Sequence, residues 1–218
     1  MDNDVKKLYT EKLDTYLSFS SFFRYPQGLE AFFESYEGLR PGLRILDAGC
    51  GTGFASFALL KALQHRSFNY QTFHGFDLTP AMLARFRARL AKQNIANVQL
   101  QKAGVLHLES LPTGWTDYDF IVSASMLEYV PPGELVAALT QLRSRLAQHG
   151  IFLLFITPKN WITKLLIEKW WKANGYTREE LQKALGAGGF QAMVFRKFPR
   201  SHFWLNLSSH VVEGRQLT

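Results

Sequence analysis

LRILDAGCGTG, residues 43–53, is the stretch that decides the fold. Its first six residues, Leu43–Ala48, form a short apolar run with the length and character of a buried strand. Three glycines then alternate at 49, 51 and 53, and a helical apolar pattern over Phe54–Leu63 follows at once. A strand that turns through glycines into a helix opens a βα unit, and glycine there permits positive φ and lets a ligand approach bare backbone. An ordinary strand–helix turn has little need of three glycines on alternate positions.

The spacing excludes a dinucleotide. The pyrophosphate fingerprint G-x-G-x-x-G, counted from Gly49, requires glycine at Phe54; counted from Gly51, it requires glycine at Ser56. Asp47, just before the first glycine, would repel a phosphate but suits a ligand bearing an ammonium group. Asp77 ends the next apolar run, Thr72–Phe76, where a carboxylate can accept both hydroxyls of a ribose.

Outward from this unit, strands and helices alternate. Thr79 and Pro80 start a helix, as N-cap and first helical residue, that runs to about Gln93 with Met82, Leu83, Phe86 and Leu90 on one face. Strands are expected at Val98–Leu100, Tyr118–Ser123 and Ile151–Thr157, the last continuously apolar and so interior. Helices are expected over Gly133–Ala147, Trp161–Trp171 and Thr177–Leu185, the last begun by the capping box Thr177–Glu180. Phe190–Phe198 and about Asn206–Val212 close the sheet. The pattern specifies an α/β fold: a doubly wound, mostly parallel seven-stranded sheet with helices on both faces, and ligands beyond the carboxyl ends of its strands.

Residues 1–40 are set apart as an N-terminal helical lid, in two pieces broken near Pro26 and Gly28, and residues 41–218 as the main domain. The lid is rich in aromatics, among them Tyr9, Tyr16, Phe19, Phe22, Phe23 and Tyr25. These either close over a substrate or face the core.

The whole chain of 218 residues, 47% hydrophobic and 20% charged, is long enough to bury its own core. Those values exclude intrinsic disorder, collagen and a coiled coil. The single cysteine, Cys50, excludes a disulfide framework and a multi-thiolate metal site. The six histidines, His65, His74, His107, His149, His202 and His210, show no ligand spacing, so no metal is expected. No run approaches the roughly 20 apolar residues of a membrane span, and the charged N-terminus lacks the apolar stretch of a signal peptide. A cytoplasmic location is expected. The net charge of +7 is uneven: residues 141–218 hold twelve Lys or Arg against four Asp or Glu. Such a skew either is a solvated face or steers an acidic small molecule, nucleic acid or a lipid surface.

Asp47, Gly49, Gly51 and Gly53 match the first motif, (D/E)-x-G-x-G-x-G, of the class I S-adenosylmethionine-dependent methyltransferases, which this chain resembles. Asp77 matches the second motif. Leu127-Glu128-Tyr129-Val130 is similar to the segment after the fourth strand. Gly150, the run from Tyr176 to Leu181 and Gly188-Gly189-Phe190 look like the small-molecule branch of that family. The resemblance covers roughly residues 40–198. It implies a Rossmann-like methyltransferase domain over 41–218, S-adenosylmethionine as cofactor, and a cofactor site of Asp47, Gly49, Cys50, Gly51, Gly53, Asp77, Leu78, Gly104, Val105 and Ser123. Many relatives carry an Asp after the third strand for the adenine amine; here Ala103, Gly104 and Val105 stand there, and the amides of Gly104 and Val105 are the substitutes.

The resemblance also implies in-line methyl transfer to a small acceptor. Candidate acceptor residues are Tyr9, Tyr16, Tyr25, Met126, Glu128, Trp161 and His202, although Trp161 with Trp170 and Trp171 equally suits core packing, and Glu128 a solvated cap. No catalytic base stands out, as befits an acceptor that is already anionic. Ser123-Ala-Ser-Met126 replaces the (D/N/S)-P-P-(Y/F) motif of nucleobase amino-methylation, which argues against nucleic acid as partner. The aromatic lid and basic last third suit a small, aromatic or hydrophobic, acidic acceptor, with Lys159 and Arg200 as candidate anion contacts. An RNA methyltransferase and a non-catalytic cofactor-binding regulator are the competing classes. The oligomeric state is left open.

Overall fold

The computed structural model describes residues 24–163 and 173–216. Its elements are α1 (Tyr25–Ser35), β1 (Leu43–Ala48), α2 (Phe54–His65), β2 (Tyr70–Asp77), α3 (Pro80–Lys92), β3 (Val98–Lys102), β4 (Tyr118–Ala124), α4 (Leu135–Arg143), β5 (Leu146–Ile156), α5 (Arg178–Ala187), β6 (Ala192–Arg196) and β7 (His210–Arg215). A seven-stranded sheet has the order β3-β2-β1-β4-β5-β7-β6. The first five strands are parallel, and β7 runs antiparallel to both β5 and β6. The order reverses between β1 and β4, so the carboxyl ends of those two strands open a crevice for a ligand.

Strand alternation builds a core on each face. Ile45, Phe73, Phe120, Val122, Leu153 and Phe155 meet α1 and α2 on one side; Leu46, Phe76, Ile121, Phe152 and Leu154 meet α4 and α5 on the other. β5 lies inside the sheet and is buried from Gly150 to Ile156, which explains its unbroken apolar run. The capping box of α5 forms on both sides: Glu180 N–H donates to Thr177 Oγ1 at 3.2 Å, and Thr177 N–H to Glu180 Oε2 at 2.7 Å.

The structure corrects three local expectations. The break expected near Pro26 falls where α1 starts: Pro26 sits in its first turn, where its missing N–H costs nothing, while Gly28 lies inside the helix, where a Cβ would stand 2.0 Å from Leu205 Cδ1. Thr79 precedes Pro80 as expected but makes no side-chain cap; the carboxylate of Asp77 caps α3 instead, accepting from Thr79 N–H at 2.8 Å. The helix expected over Gly133–Ala147 is shorter, because β5 begins at Leu146 and carries an irregularity opposite Tyr118–Phe120 that absorbs extra residues. Asn206 and Leu207 end a 3₁₀ segment, Arg200–Leu207, and the last strand starts only at His210. The expected helix Trp161–Trp171 is seen for Trp161–Thr163; its remainder, with Trp170 and Trp171, and the lid residues Tyr9, Tyr16, Phe19, Phe22 and Phe23 lie outside the described residues.

Candidate active site

The loop from β1 to α2 takes its shape from its glycines. Gly49, Gly51 and Gly53 have φ of 71°, 51° and 88°. Two of them are closely packed: a Cβ at Gly49 would stand 2.2 Å from Met126 Cγ, and one at Gly53 2.4 Å from the Phe86 ring. At Gly51 a Cβ would meet nothing within 4 Å, and Gly51 lines the cavity. The first and third glycines therefore serve packing, and the second leaves room for a ligand.

The loop is pinned to β2. The amides of Gly49 and Cys50 both donate to Phe76 O at 2.9 Å. Gly51 N–H donates to Asp77 Oδ2 at 2.9 Å. Behind the loop, Arg89 donates to Thr52 O at 2.6 Å and lies over the Phe57 ring at 4.2 Å.

Around this loop lies a cavity partly open to solvent. One end holds Asp47, Gly49, Cys50, Gly51, Thr52 and Asp77. Leu78, Met82, Ala103, Gly104 and Val105 form an apolar slot beside it, and Tyr25, Leu29, Phe54, Ala124, Ser125, Met126 and Tyr129 line the other end. The slot has the chemistry to receive a flat ring, with its polar edge along the backbone of Gly104 and Val105.

Two carboxylates share the polar end. Asp47 is 1% exposed; Ser56 Oγ donates to its Oδ2 at 2.6 Å, whereas Oδ1 has no partner among the described residues. Burial first, and the nearby charge of Asp77 in addition, push its pKa up to about 7 against the opposing Ser56 bond. Burial also raises Asp77, opposed by the backbone donors at Thr79 and Gly51. An orphaned buried carboxylate oxygen beside a second acid calls for a cation. An ammonium group satisfies Asp47, and the free lone pairs of Asp77 suit hydroxyl donors.

At the other end, Ser125 holds a left-handed φ of 55°, uncommon for serine, with its N–H donating to Phe155 O at 3.0 Å. Its Oγ donates to Tyr25 Oη at 3.2 Å. A hydroxyl pair thus bridges α1 and the end of β4 across the wall of the cavity.

Of the expected residues, Asp47, Gly49, Cys50, Gly51, Asp77, Leu78, Gly104, Val105, Tyr25 and Met126 come together on the lining. Gly53 supports the loop from behind. Ser123 is buried, its Oγ without a partner among the described residues, one position short of the lining. Glu128 is no solvated cap: it is 2% exposed, accepts from Thr157 Oγ1 at 3.1 Å, and is raised by burial to about 7. Trp161, expected over the acceptor or in the core, is 77% exposed. His202 is buried beside Trp204, and neither it, Lys159 nor Arg200 lines the cavity. Lys159 pairs instead with Glu180 at 3.1 Å. The sequence reading missed Thr52, Phe54, Met82, Leu29 and Tyr129; the buried periodic face of α3 was the signal for Met82.

Comparison with known proteins agrees with this geometry. The family described as "Methyltransferase domain" matches residues 45–150, a span that holds the glycine loop and Asp77. Prosolanapyrone synthase of Alternaria solani is 32% identical over 131 residues, which are 58% of this chain and 5% of that protein. The chain spans less than half the length of the curated relatives it matches. Among solved structures, magnesium protoporphyrin IX methyltransferase from Synechocystis PCC 6803 with bound S-adenosylmethionine has a TM-score of 0.62 at 19% identity, covering 89% of this chain and 79% of that one. The S-adenosylmethionine-dependent methyltransferase SibL has a TM-score of 0.69 at 16% identity, covering 93% and 57%. These two share its fold.

Proposed function

We propose that the chain is a methyltransferase that uses S-adenosylmethionine and acts on a small, hydrophobic or aromatic acceptor. The observation that carries the reading is the unpartnered, buried Oδ1 of Asp47, on the lining with Gly51 and Asp77. The cofactor supplies an activated methyl group on a positive sulfur, a good leaving group.

The chain's residues bind, orient and exclude water. Asp47 holds the amino group, Asp77 takes the ribose hydroxyls, and the backbone at Gly51 makes room for the chain between them. Leu78, Met82, Gly104 and Val105 enclose the adenine. At the far end, Tyr25, Met126 and Tyr129 form the wall against which an acceptor is aligned, and the hydroxyls of Tyr25 and Ser125 orient its polar atom. Alignment of this kind supplies roughly 7–11 kcal/mol of barrier reduction. α1, packed into the core through Phe32 and Phe33, holds Tyr25 on the lining as part of the wall that excludes water.

Titration calorimetry of the whole chain tests the reading. Micromolar binding of S-adenosylmethionine and its demethylated product is expected, followed by label transfer from methyl-labelled cofactor to an aromatic or hydrophobic compound in an acceptor panel. No heat with either compound, together with binding of a nicotinamide or flavin, overturns it.

A further inference from the structure

We propose that the surface formed by Trp161, Phe203 and Leu207 docks on an anionic lipid bilayer and brings the acceptor end of the cavity to it. Five large apolar side chains are exposed among the described residues, and three of them are Trp161 at 77%, Phe203 at 65% and Leu207 at 55%. They belong to two segments tied together, since Asn160 Nδ2 donates to Leu207 O at 2.8 Å. Phe203 stands edge-on to Trp204 at 5.8 Å, which in turn meets His202 at 5.2 Å. The result is an aromatic ridge on the Arg200–Leu207 segment.

The segment that carries the ridge has charges of one sign. Residues 196–212 contain Arg196, Lys197 and Arg200 and no Asp or Glu. Arg196 is engaged with Glu213, but Lys197 and Arg200 are exposed, and so is Arg24, whose charge adds to burial in lowering the pKa of His202. Protruding indole, phenyl and isobutyl groups beside exposed cations match the boundary of an anionic bilayer, where apolar groups enter the headgroup layer and cations meet the lipid phosphates. A track for nucleic acid needs a longer row of cations than these three.

The ridge is joined to the cavity. Leu205, between Phe203 and Leu207, fills the space against Gly28 of α1, and Tyr25 and Leu29 of the same helix line the acceptor end. A hydrophobic acceptor, the class named by the preceding reading, concentrates at such a boundary; the docking surface itself does not depend on that reading.

The test is sedimentation of the whole chain with vesicles of phosphatidylcholine alone and with roughly one third phosphatidylglycerol, in about 0.1 M and 0.5 M salt. Binding to the anionic vesicles is expected to exceed that to the neutral ones by roughly ten-fold or more and to fall several-fold at the higher salt. Phe203→Glu with Leu207→Glu removes the binding, with cofactor affinity and melting temperature unchanged, while Trp161→Phe retains it. The proposal is overturned if the chain ignores anionic vesicles, or if the double variant binds them as the parent does. It is equally overturned if the double variant abolishes self-association or polyuridylate binding and leaves vesicles unaffected. Failure of cofactor binding in the parent chain would count against the methyltransferase reading and not against the vesicle result.

Discussion

Asp77 and Gly51 are joined by a hydrogen bond of 2.9 Å from the loop amide to Oδ2, while the other oxygen of the same carboxylate caps α3 through Thr79 N–H at 2.8 Å. One side chain therefore sets the glycine loop, the start of the next helix and the sugar end of the cavity together. Asp77→Asn leaves a single acceptor oxygen for these donors and removes the charge. Affinity for S-adenosylmethionine is expected to drop roughly ten- to hundred-fold, or about 1.4–3 kcal/mol, with a lower melting temperature, read by calorimetry and thermal unfolding. Unchanged affinity would remove Asp77 from the site.

Two glycine substitutions separate packing from binding. Gly53→Ala places a Cβ against the Phe86 ring at a φ of 88°, and a loss of about 2–4 kcal/mol in stability is expected. Gly51→Ala meets open space at a milder φ of 51°; its cost is about 1 kcal/mol, but cofactor binding is lost because the methyl group enters the cavity. Thermal melts and calorimetry on both variants check this, and equal behaviour of the two would contradict it.

Asp47 and Glu128 make the stability of the unliganded protein fall with rising pH. Both have folded-state pKa values raised to about 7, above their ordinary 3.8 and 4.5. Each contributes stability that is fully present below its ordinary value and is lost as pH rises through about 7. Urea unfolding between pH 5 and pH 8 is expected to show the decline, and Glu128→Gln to flatten it. Cofactor affinity runs the other way, since the ammonium group needs Asp47 ionised; an affinity independent of pH in this window would contradict the role of Asp47.

Glu213 works in the opposite sense. It is 1% exposed, and the Tyr36 hydroxyl donates to its Oε2 at 2.9 Å while Arg196 and Arg215 pair with its two oxygens. Burial alone would raise its pKa, but the bonds from Arg215, Tyr36 and Arg196 outweigh it and hold the value below the ordinary one. Its contribution is present above the ordinary value and lost as pH falls through the lowered one. Glu213→Gln strands two arginines and is expected to cost about 2–4 kcal/mol, measured by urea unfolding at neutral pH.

What was legible in the sequence is what local chemistry determines. The alternate glycines, Asp47 and Asp77 announce the loop and its ligand because turn conformation and charge depend on neighbours in the chain. The capping box at Thr177 and Glu180 was readable for the same reason. The irregular start of β5 was not, because residues 146–150 are shaped by pairing with Tyr118–Phe120. Nor was the left-handed Ser125, which is held by Phe155 O and reaches Tyr25 a hundred positions away. Trp161 misled because an aromatic residue in a helical pattern reads as core, and only the packed structure shows which faces stay uncovered.

The bond between Tyr36 and Glu213 spans 177 positions. During synthesis, the end of α1 waits for β7 before this contact closes. β7 is also the neighbour that separates β5 from β6. A chain cut off before His210 would leave the apolar rim of β5 unpaired, an adhesive edge open to other nascent chains. β7 thus serves as the clasp that turns a sticky intermediate into a closed sheet.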